Sequence, residues 1–511
     1  LCGPRDFTGI KFYGKTIPKQ THFKQEHLSD FKRSALEYVV PGITKRMRPP
    51  TVTAESALLC TEDYFYPEGN PRAPIRVAQS GIDECIEQYK LAGVRHRYQP
   101  IAANFDQLFD AAIEDISNNG GENSTPGWPW NRVSATNEKL LKEKRAQLRQ
   151  EVKTRFANIG AIRFAGSGSQ EEIEPTEEEQ EQEEGLYEDG VHCGARSLRA
   201  LRCNPFLWLE WGLCDPVRVF KKNEPEATRK KHGRIVNGVS IIDQILTRMI
   251  FRQFNLSAKA RFPDVPNMKG TGFDDATAEK IYTRFRKTDN KVRQNAPNAT
   301  AVTSDISGWE KGYSIECADA FRQVFKATCE YSPQDEPEMD NMLGWWMFKT
   351  LGRLCINDDG WIFALDRHIG QSSGDLQTTD ANGAARVSVA YANGAHAAFA
   401  NGDDCVEWTD KDGDAFINGY LTQNVMARDV VKVENDEYPF CSHMFTRDVG
   451  GRAFTYLKEN EKMIFKVFLK KSYTMSEFNN YMAELQNHPD KQLVKRFLVK
   501  LLEAVQRTAL Q

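Results

Sequence analysis

Residues 171 to 189 hold eleven acidic side chains (Glu171, Glu172, Glu174, Glu177, Glu178, Glu179, Glu181, Glu183, Glu184, Glu188, Asp189) and no Lys or Arg. A packed core cannot absorb such a run, because each buried carboxylate would need a partner and none is local. With its lead Ala165-Gly166-Ser167-Gly168-Ser169, the run is expected to be a disordered, solvated linker. The alternative is an acidic mimic of nucleic acid lying in a basic channel. The run also masks the charge of the rest. The 511-residue chain carries −4, but without these eleven, 60 acids face 67 Lys and Arg, a balance of +7. A basic body permits a polyanionic partner.

At this length the chain can bury a sizeable core, in several domains or one multi-lobed enzyme. No stretch approaches about 18 consecutive apolar residues, so no membrane-crossing helix is expected. Membrane contact would come through a partner or through surface helices. The start at Leu1, with no signal peptide, suggests a trimmed chain or release from a longer precursor. Eleven cysteines without a C-x-x-C pair, and with no zinc spacing around Cys193, Cys203 and Cys214, read as reduced thiols of an intracellular protein.

Chemistry is densest between Ala395 and Trp408. Two short apolar runs flank Asn401-Gly402, a hairpin signal, since both residues tolerate positive φ. Asp403 and Asp404 then sit at or just past the tip. Two adjacent carboxylates repel, and a hard divalent cation with oxygen ligands relieves them. A plain turn competes with this reading, for Asp is a common turn residue and pairs recur at Asp274-Asp275 and Asp358-Asp359. Asn357-Asp358-Asp359-Gly360 is expected to be a second hairpin turn without chemistry, because no basic partner is evident.

Other segments add weaker signals. Asn123 to Trp130 is a stiff turned loop whose tryptophans belong in the core before they stack on bases. A Lys-rich helix is expected from Asn137 to Arg155. Val217, Val219 and Ile235 alternate as two strands, and seven Lys or Arg fall within 218 to 234, a density suited to phosphate oxygens. Val239 to Phe254 has core-helix spacing. Ala301 to Asp305 reads as a strand, with Glu310 leading into a helix around Ser314 to Cys329. A loop at Gly370 to Gly374 feeds a helix to Tyr391 that places Thr378 and Asn382 on one face. Asp410 to Asp414 fails as a calcium loop, since Ala415 and Leu421 stand where Gly and Glu are needed. His443 reads as structural. Lys458, Lys462, Lys466 and Lys470 would line one helical face, solvated or turned to nucleic acid, and Asp490 caps a final helix. Residues 1–110 carry no motif that assigns them a function.

The order of these features is specific. Asp305-x4-Glu310, Ser373-Gly374-x3-Thr378-x3-Asn382, Gly402-Asp403-Asp404, Lys432 and Phe440-Cys441-Ser442-His443 resemble the palm of viral RNA-dependent RNA polymerases. Thr125-Pro126-Gly127-Trp128-Pro129 is similar to the motif by which template reaches the fingers, and Arg218 to Arg234 to the basic NTP-channel motif. Asp215-Pro216-Val217-Arg218, Glu224-Pro225 and Phe440 to His443 look like the sobemovirus-like and polerovirus-like branch of positive-strand RNA viruses. The motifs span about 124 to 445.

The resemblance implies an α+β right hand of fingers, palm and thumb, the palm an antiparallel sheet backed by helices. Its parts would be an N-terminal extension with fingertips at 1–110, fingers at 111–242 with the acidic linker at about 166–190, a palm at 243–445 with finger insertions near 263–300 and 345–372, and a thumb at 446–511. It further implies two Mg²⁺ ions (Mn²⁺ as substitute) roughly 3.5–4 Å apart on Asp305 and Asp403, with Asp404 assisting. Arg218, Lys221, Lys222 and Arg234 would clamp the triphosphate, and Lys432 would act as general acid toward pyrophosphate. Ser373, Gly374, Thr378 and Asn382 would bind the nucleotide and read its 2′-hydroxyl. Glu310 would join them in binding the nucleotide at its ribose, but it stands where many relatives carry Asp, so its longer side chain must reach differently. Thr125, Pro126 and Gly127 would meet the template. Partners would be template and product RNA, NTPs and other viral replication proteins, in a host-cytoplasmic replication complex that meets membranes through those partners. The rival readings are an RNA-binding structural protein with a polymerase-like fold, a reverse transcriptase, and a two-metal phosphatase or nuclease.

Overall fold

The computed structural model describes residues 7–18, 27–69, 72–118, 124–164, 198–228, 233–269 and 274–509. The acidic run and residues 229–232 of the basic loop lie outside them. The fold mixes helix and sheet, with 52% of the described residues helical.

Twelve strands in chain order carry the argument: β1 (Ile10–Lys15), β2 (Val217–Lys221), β3 (Ile235–Gly238), β4 (Thr300–Ile306), β5 (Cys355–Ile356), β6 (Trp361–Leu365), β7 (Ala397–Asn401), β8 (Asp404–Thr409), β9 (Ala427–Lys432), β10 (Tyr438–Phe440), β11 (His443–Arg447) and β12 (Ala453–Leu457). They form a five-stranded sheet β1-β6-β5-β2-β3, a four-stranded central sheet β7-β8-β4-β9 and a three-stranded sheet β10-β11-β12. Every pair in the central sheet is antiparallel. The helices that matter below are α1 (Asp30–Val39), α2 (Gln79–Leu91), α3 (Ile241–Ala260), α4 (Asp275–Asn295), α5 (Ile315–Ala327), α6 (Glu336–Leu351), α7 (Thr378–Ala392), α8 (Gly413–Leu421), α9 (Glu461–Leu469), α10 (Met475–Leu485) and α11 (Lys491–Ala509).

Alternation along the central strands sorts side chains to two faces. Val302 and Ile306 of β4, with Cys405 of β8, join the large cluster built on α3, α5, α6 and α7. Ala301, Val406, Trp408 and Phe399 join a second cluster with Phe285 of α4 and with Tyr438, Phe440 and Phe445. The sheet is therefore covered on both faces, and its open part is the end at which β7 turns into β8. A third cluster holds α1 against α9 and α11, tying the N-terminal segment to the C-terminal helices. Gly81 of α2 lets that helix approach α7 closely, for a Cβ there would lie 2.1 Å from the Ser388 carbonyl oxygen.

Most local expectations hold, with shifted limits. The basic strands, the strand ending at Asp305, both hairpins and the Asp490-capped final helix are present. The lysine stripe is corrected: α9 ends at Leu469 and begins after Lys458, so Lys458 and Lys470 flank the helix. Lys462 pairs with Glu224 at 2.7 Å. The strand β1 is missed by the sequence reading, because a Gly and alternating basic residues disguise its pattern.

Beneath the central sheet, Arg386 of α7 is wholly buried. Its guanidinium donates to Tyr420 OH at 2.7 Å, Glu407 Oε1 at 3.2 Å and Ser304 Oγ at 3.3 Å, and Tyr420 OH donates to Glu407 at 2.6 Å. Removing one member strands the other's charge in the core, at a cost of about 3–5 kcal/mol. Arg386→Met should therefore lower the thermal midpoint strongly, while Arg386→Met combined with Glu407→Met recovers most of the loss. Equal destabilisation by the single and double variants, read by calorimetry, would refute the paired-charge account.

Candidate active site

The hairpin turn is Gly402-Asp403, one residue later than the Asn-Gly signal suggests. Asn401 remains in the strand opposite Asp404, and Gly402 takes the left-handed conformation at φ 68°. Glycine first in a two-residue loop is a preferred hairpin solution. Asp403 thus sits in the loop and Asp404 begins β8. The β8–β4 register pairs Val406 with Thr303, and continuing it by two residues sets Asp404 level with Asp305. On the other side of β4, Arg428 of β9 is the direct partner of Asp305. Backbone pairing, with no help from local sequence, brings together residues a hundred positions apart.

Asp305, Asp403 and Asp404 are exposed at the sheet end, yet protein crowds them. Burial pushes the Asp404 carboxyl up to about 7, and the charges of Asp403 and Asp305 add to the effect. Burial also raises Asp403 and Glu310, the latter helped by the Asp403 charge. Arg234 and the buried Arg386 oppose the rise at Asp403. Among the described residues none of the three aspartates has a cation within ion-pair distance, and no three acidic, His or Cys side chains close into a metal cage. The result is an open, electron-rich set of oxygen donors.

Four cations were expected to face this set. Arg218 is bidentate on Asp358 at 2.7 and 2.9 Å. This supplies the basic partner that the Asn357 to Gly360 turn lacked in the sequence. Lys221 is buried, held by Glu226 at 2.5 Å and by the Thr51 carbonyl at 2.7 Å. Lys222 pairs with Glu224 at 3.1 Å. Arg234 is exposed, has no acid within ion-pair distance among the described residues, and acts on Asp403. It lines a cavity of about 840 Å³ with Lys45, Lys458, Glu459 and Lys462.

The Ser373 loop is pressed against β3. A Cβ on Gly374 would lie 1.8 Å from the Asn237 carbonyl oxygen, so only glycine fits. Asn237 donates its backbone and side-chain N–H to Ser373 Oγ, each at 3.4 Å. Thr378 Oγ1 donates to the Ser372 carbonyl at 2.6 Å, which folds the loop onto the start of α7. Asp375 anchors the loop below through Lys349 of α6 at 2.7 Å. Asn382 Oδ1, Ser372 Oγ and both amide atoms of Gln371 are buried without a hydrogen-bond partner among the described residues. Asn267 staples this helix to the hairpin: its Oδ1 accepts from Gly402 N at 3.3 Å and its Nδ2 donates to Asp380 at 3.2 Å.

Farther out, Lys432 pairs across the sheet with Val302, three residues or roughly 10 Å along β4 from Asp305. Arg428 is the nearer cation. His443 is structural, its ring bridging the Cys441 carbonyl and Glu484 of α10, both at 2.8 Å. Cys441 and Ser442 form the two-residue turn of β10–β11 with φ of 53° and 61°, and the Cys441 thiol meets Asp404 and Asn401. The Thr125 to Gly127 turn abuts the start of α3, with Ile241 N donating to the Pro126 carbonyl at 2.7 Å, and Thr125 Oγ1 is buried without a partner. Sequence reading missed Asn237, Asn267, Lys349, Arg386 and Arg428. Only Arg386 left a trace, as the one basic residue in a helix of mostly small side chains.

No protein-family model matches the chain. It is 24% identical to the replicase polyprotein P2AB of southern bean mosaic virus over 79% of this chain and 38% of that protein. It is 30% identical to protein P1-P2 of potato leafroll virus, over 46% of this chain and 22% of that one. With the RNA-directed RNA polymerase of mushroom bacilliform virus it shares 22% identity over 74% of this chain and 81% of that one. The chain thus spans well under half the length of the first two relatives.

An acid whose folded pKa lies above its unfolded value near 3.9 holds its proton more tightly in the folded chain. The stability linked to Asp404 is full below that value and is lost as pH rises toward about 7. Metal-free Asp404→Asn should therefore melt higher than the wild type at pH 8, with the gap closing toward pH 4. Identical melting at both pH values would show that the carboxylates are unstrained.

Proposed function

We propose that this chain, a relative of the replication proteins of sobemovirus-like and polerovirus-like viruses, is an RNA-directed RNA polymerase that extends an RNA 3′-hydroxyl with nucleoside triphosphates. The observation that carries the reading is the register that sets Asp305 level with Asp404 and beside Asp403, without cationic neutralisation and facing Arg234. The printed names of the relatives, replicase polyprotein and RNA-directed RNA polymerase, support it. In this reading the central sheet is the palm, the five-stranded sheet belongs to the fingers, and α9 to α11 form the thumb.

The donor set suits Mg²⁺, which keeps several waters and substrate phosphates and binds through one or two carboxylates more often than in an all-protein cage. Two such ions (Mn²⁺ as substitute), when held by Asp305, Asp403 and Asp404, supply the charge that activates the 3′-hydroxyl and neutralises the departing pyrophosphate. Arg234 binds the triphosphate, while Arg218, Lys221 and Lys222, tied to Asp358, Glu226 and Glu224, set the shape of the wall that presents it. Asn382 and the Ser373 loop offer polar atoms to the ribose, a contact that distinguishes RNA from DNA. Thr378 and Gly374 position that loop. Arg428 adds a fixed charge beside Asp305. A guanidinium does not give up its proton in proteins, so proton donation to pyrophosphate falls to Lys432, which must approach from its place on β9. Thr125 to Gly127 guide the template. Among the described residues no helix is long and apolar enough to cross a membrane; in this reading other viral proteins hold the chain in the replication complex.

Primer extension on a defined RNA template tests the reading. The expected result is Mg²⁺-dependent incorporation of ribonucleotides, abolished by Asp403→Ala or Asp305→Ala with RNA binding retained. A preference for deoxyribonucleotides would indicate a reverse transcriptase. RNA binding with no incorporation at all would leave a structural RNA-binding protein, and RNA loss without NTPs a nuclease.

A further inference from the structure

Helix α4 carries six basic side chains between Lys280 and Arg293, and the fold treats them in two ways. Two on the flank of the helix are neutralised: exposed Arg293 meets buried Asp289 at 3.0 Å, and Arg286 lies between Asp289 and Asp436. The other four, Lys280, Arg284, Lys287 and Lys291, recur at intervals of four, three and four. At 3.6 residues per turn they fall within a sector of about 60°, extending about 16 Å along the axis. No Asp or Glu of α4 falls in that sector. Lys287 and Lys291 are exposed with no acid within ion-pair distance among the described residues, Arg284 has Asp264 at 3.5 Å, and Lys280 reaches only toward the N-cap carboxylate of Asp274. Like charges one turn apart disfavour the helix. The helix tolerates them because its other side is anchored in the aromatic cluster around Phe285.

Beside the stripe lies a groove of about 310 Å³, lined by Arg284, Lys287, Lys291, Asn295, Tyr391 and His396. A row of cations along a wall that also holds ring and amide groups is the pattern of single-stranded nucleic acid binding: phosphates track the charges and bases stack on the rings. A lipid surface fits poorly. An interfacial helix needs a free apolar face to insert, and that face of α4 is already packed. The groove is also separate from the catalytic end of the sheet, since His396 precedes Gly402 by six residues, roughly 20 Å of extended chain.

We infer that the Lys280–Lys291 face of α4 and its groove form a second binding track for single-stranded RNA, outside the catalytic cleft. It holds template or product backbone by phosphate contacts without reading sequence. The RNA partner is that of the proposed function, but the track needs no catalysis.

The test is fluorescence anisotropy of a labelled single-stranded RNA with the full chain across a salt series. It compares the wild type with K280Q/R284Q/K287Q/K291Q and, as a milder variant on exposed positions alone, K287Q/K291Q. Each lost phosphate contact should flatten the slope of log affinity against log salt by about 0.7, so the quadruple variant should lose about 2–3 and the double variant about half that. Extension of a saturating short primer–template should persist in both. Unchanged slopes would overturn the inference, as would loss of binding to vesicles of anionic phospholipid with RNA binding intact. If the slopes fall but wild-type protein extends no primer, the RNA track stands and the polymerase reading fails.

Discussion

The buried guanidinium of Arg386 is the interaction on which the site depends most. It bonds to β8 through Glu407, to β4 through Ser304 and to α8 through Tyr420, so one side chain fixes the two strands that end in carboxylates and a helix beneath them. Its charge is held firmly, since burial alone would discharge it and Tyr420, Cys405 and Glu407 more than offset that. The same charge lies below Asp403 and Asp404 and opposes the rise of both. A neutral residue there would loosen the sheet and leave the carboxylates more fully protonated. Support and tuning come from the same atoms.

The basic region shows a similar economy. Of the cations that sequence assigns to a phosphate clamp, three are spent on architecture: Arg218 ties β2 to the β5–β6 turn, Lys221 is sealed against Glu226, and Lys222 shares Glu224 with Lys462 of α9. Glu224 thereby links the basic strands to the C-terminal helices, as Arg46 and Glu461 do from the N-terminal segment. What remains turned toward the carboxylates is Arg234. Charge density in a sequence reports how many phosphates could be met, and only the ion pairs tell which cations are left to meet them.

Local pattern was legible and long-range pairing was not. Alternation marked β2, β3 and β4, helical spacing marked α3, and Asn-Gly marked the β7–β8 hairpin, because each is decided within a few residues. The two Asn/Asp/Gly turns look alike in sequence, yet Asp358 is neutralised by a residue 140 positions away while Asp404 is set against Asp305. Thr378 was read as a ligand contact, but its hydroxyl is committed to the loop before it, which follows from its place at the start of α7. The lysine period from 458 to 470 failed because it crosses both ends of α9. Asn237 and Asn267 gave no signal, since an asparagine that staples two segments has no periodicity to betray it.

The carboxylate end of the central sheet holds unrelieved like charge. Burial raises Asp403, Asp404 and Glu310, and mutual repulsion raises them further. Protons can relieve that repulsion at low pH, and divalent cations can relieve it at neutral pH, so the two compete for the same oxygens. A permanently attached lysine or arginine would settle the conflict, and none is present among the described residues: Arg428 stands opposite Asp305 without forming an ion pair, and Arg234 acts on Asp403 through its charge alone. Cations near but unbonded leave the oxygen donors electron-rich, which is the state that the proposed metal and triphosphate binding would use. The repulsion at the hairpin tip is maintained by the packed sheet behind it, and under the proposed function it is what a bound cation would relieve.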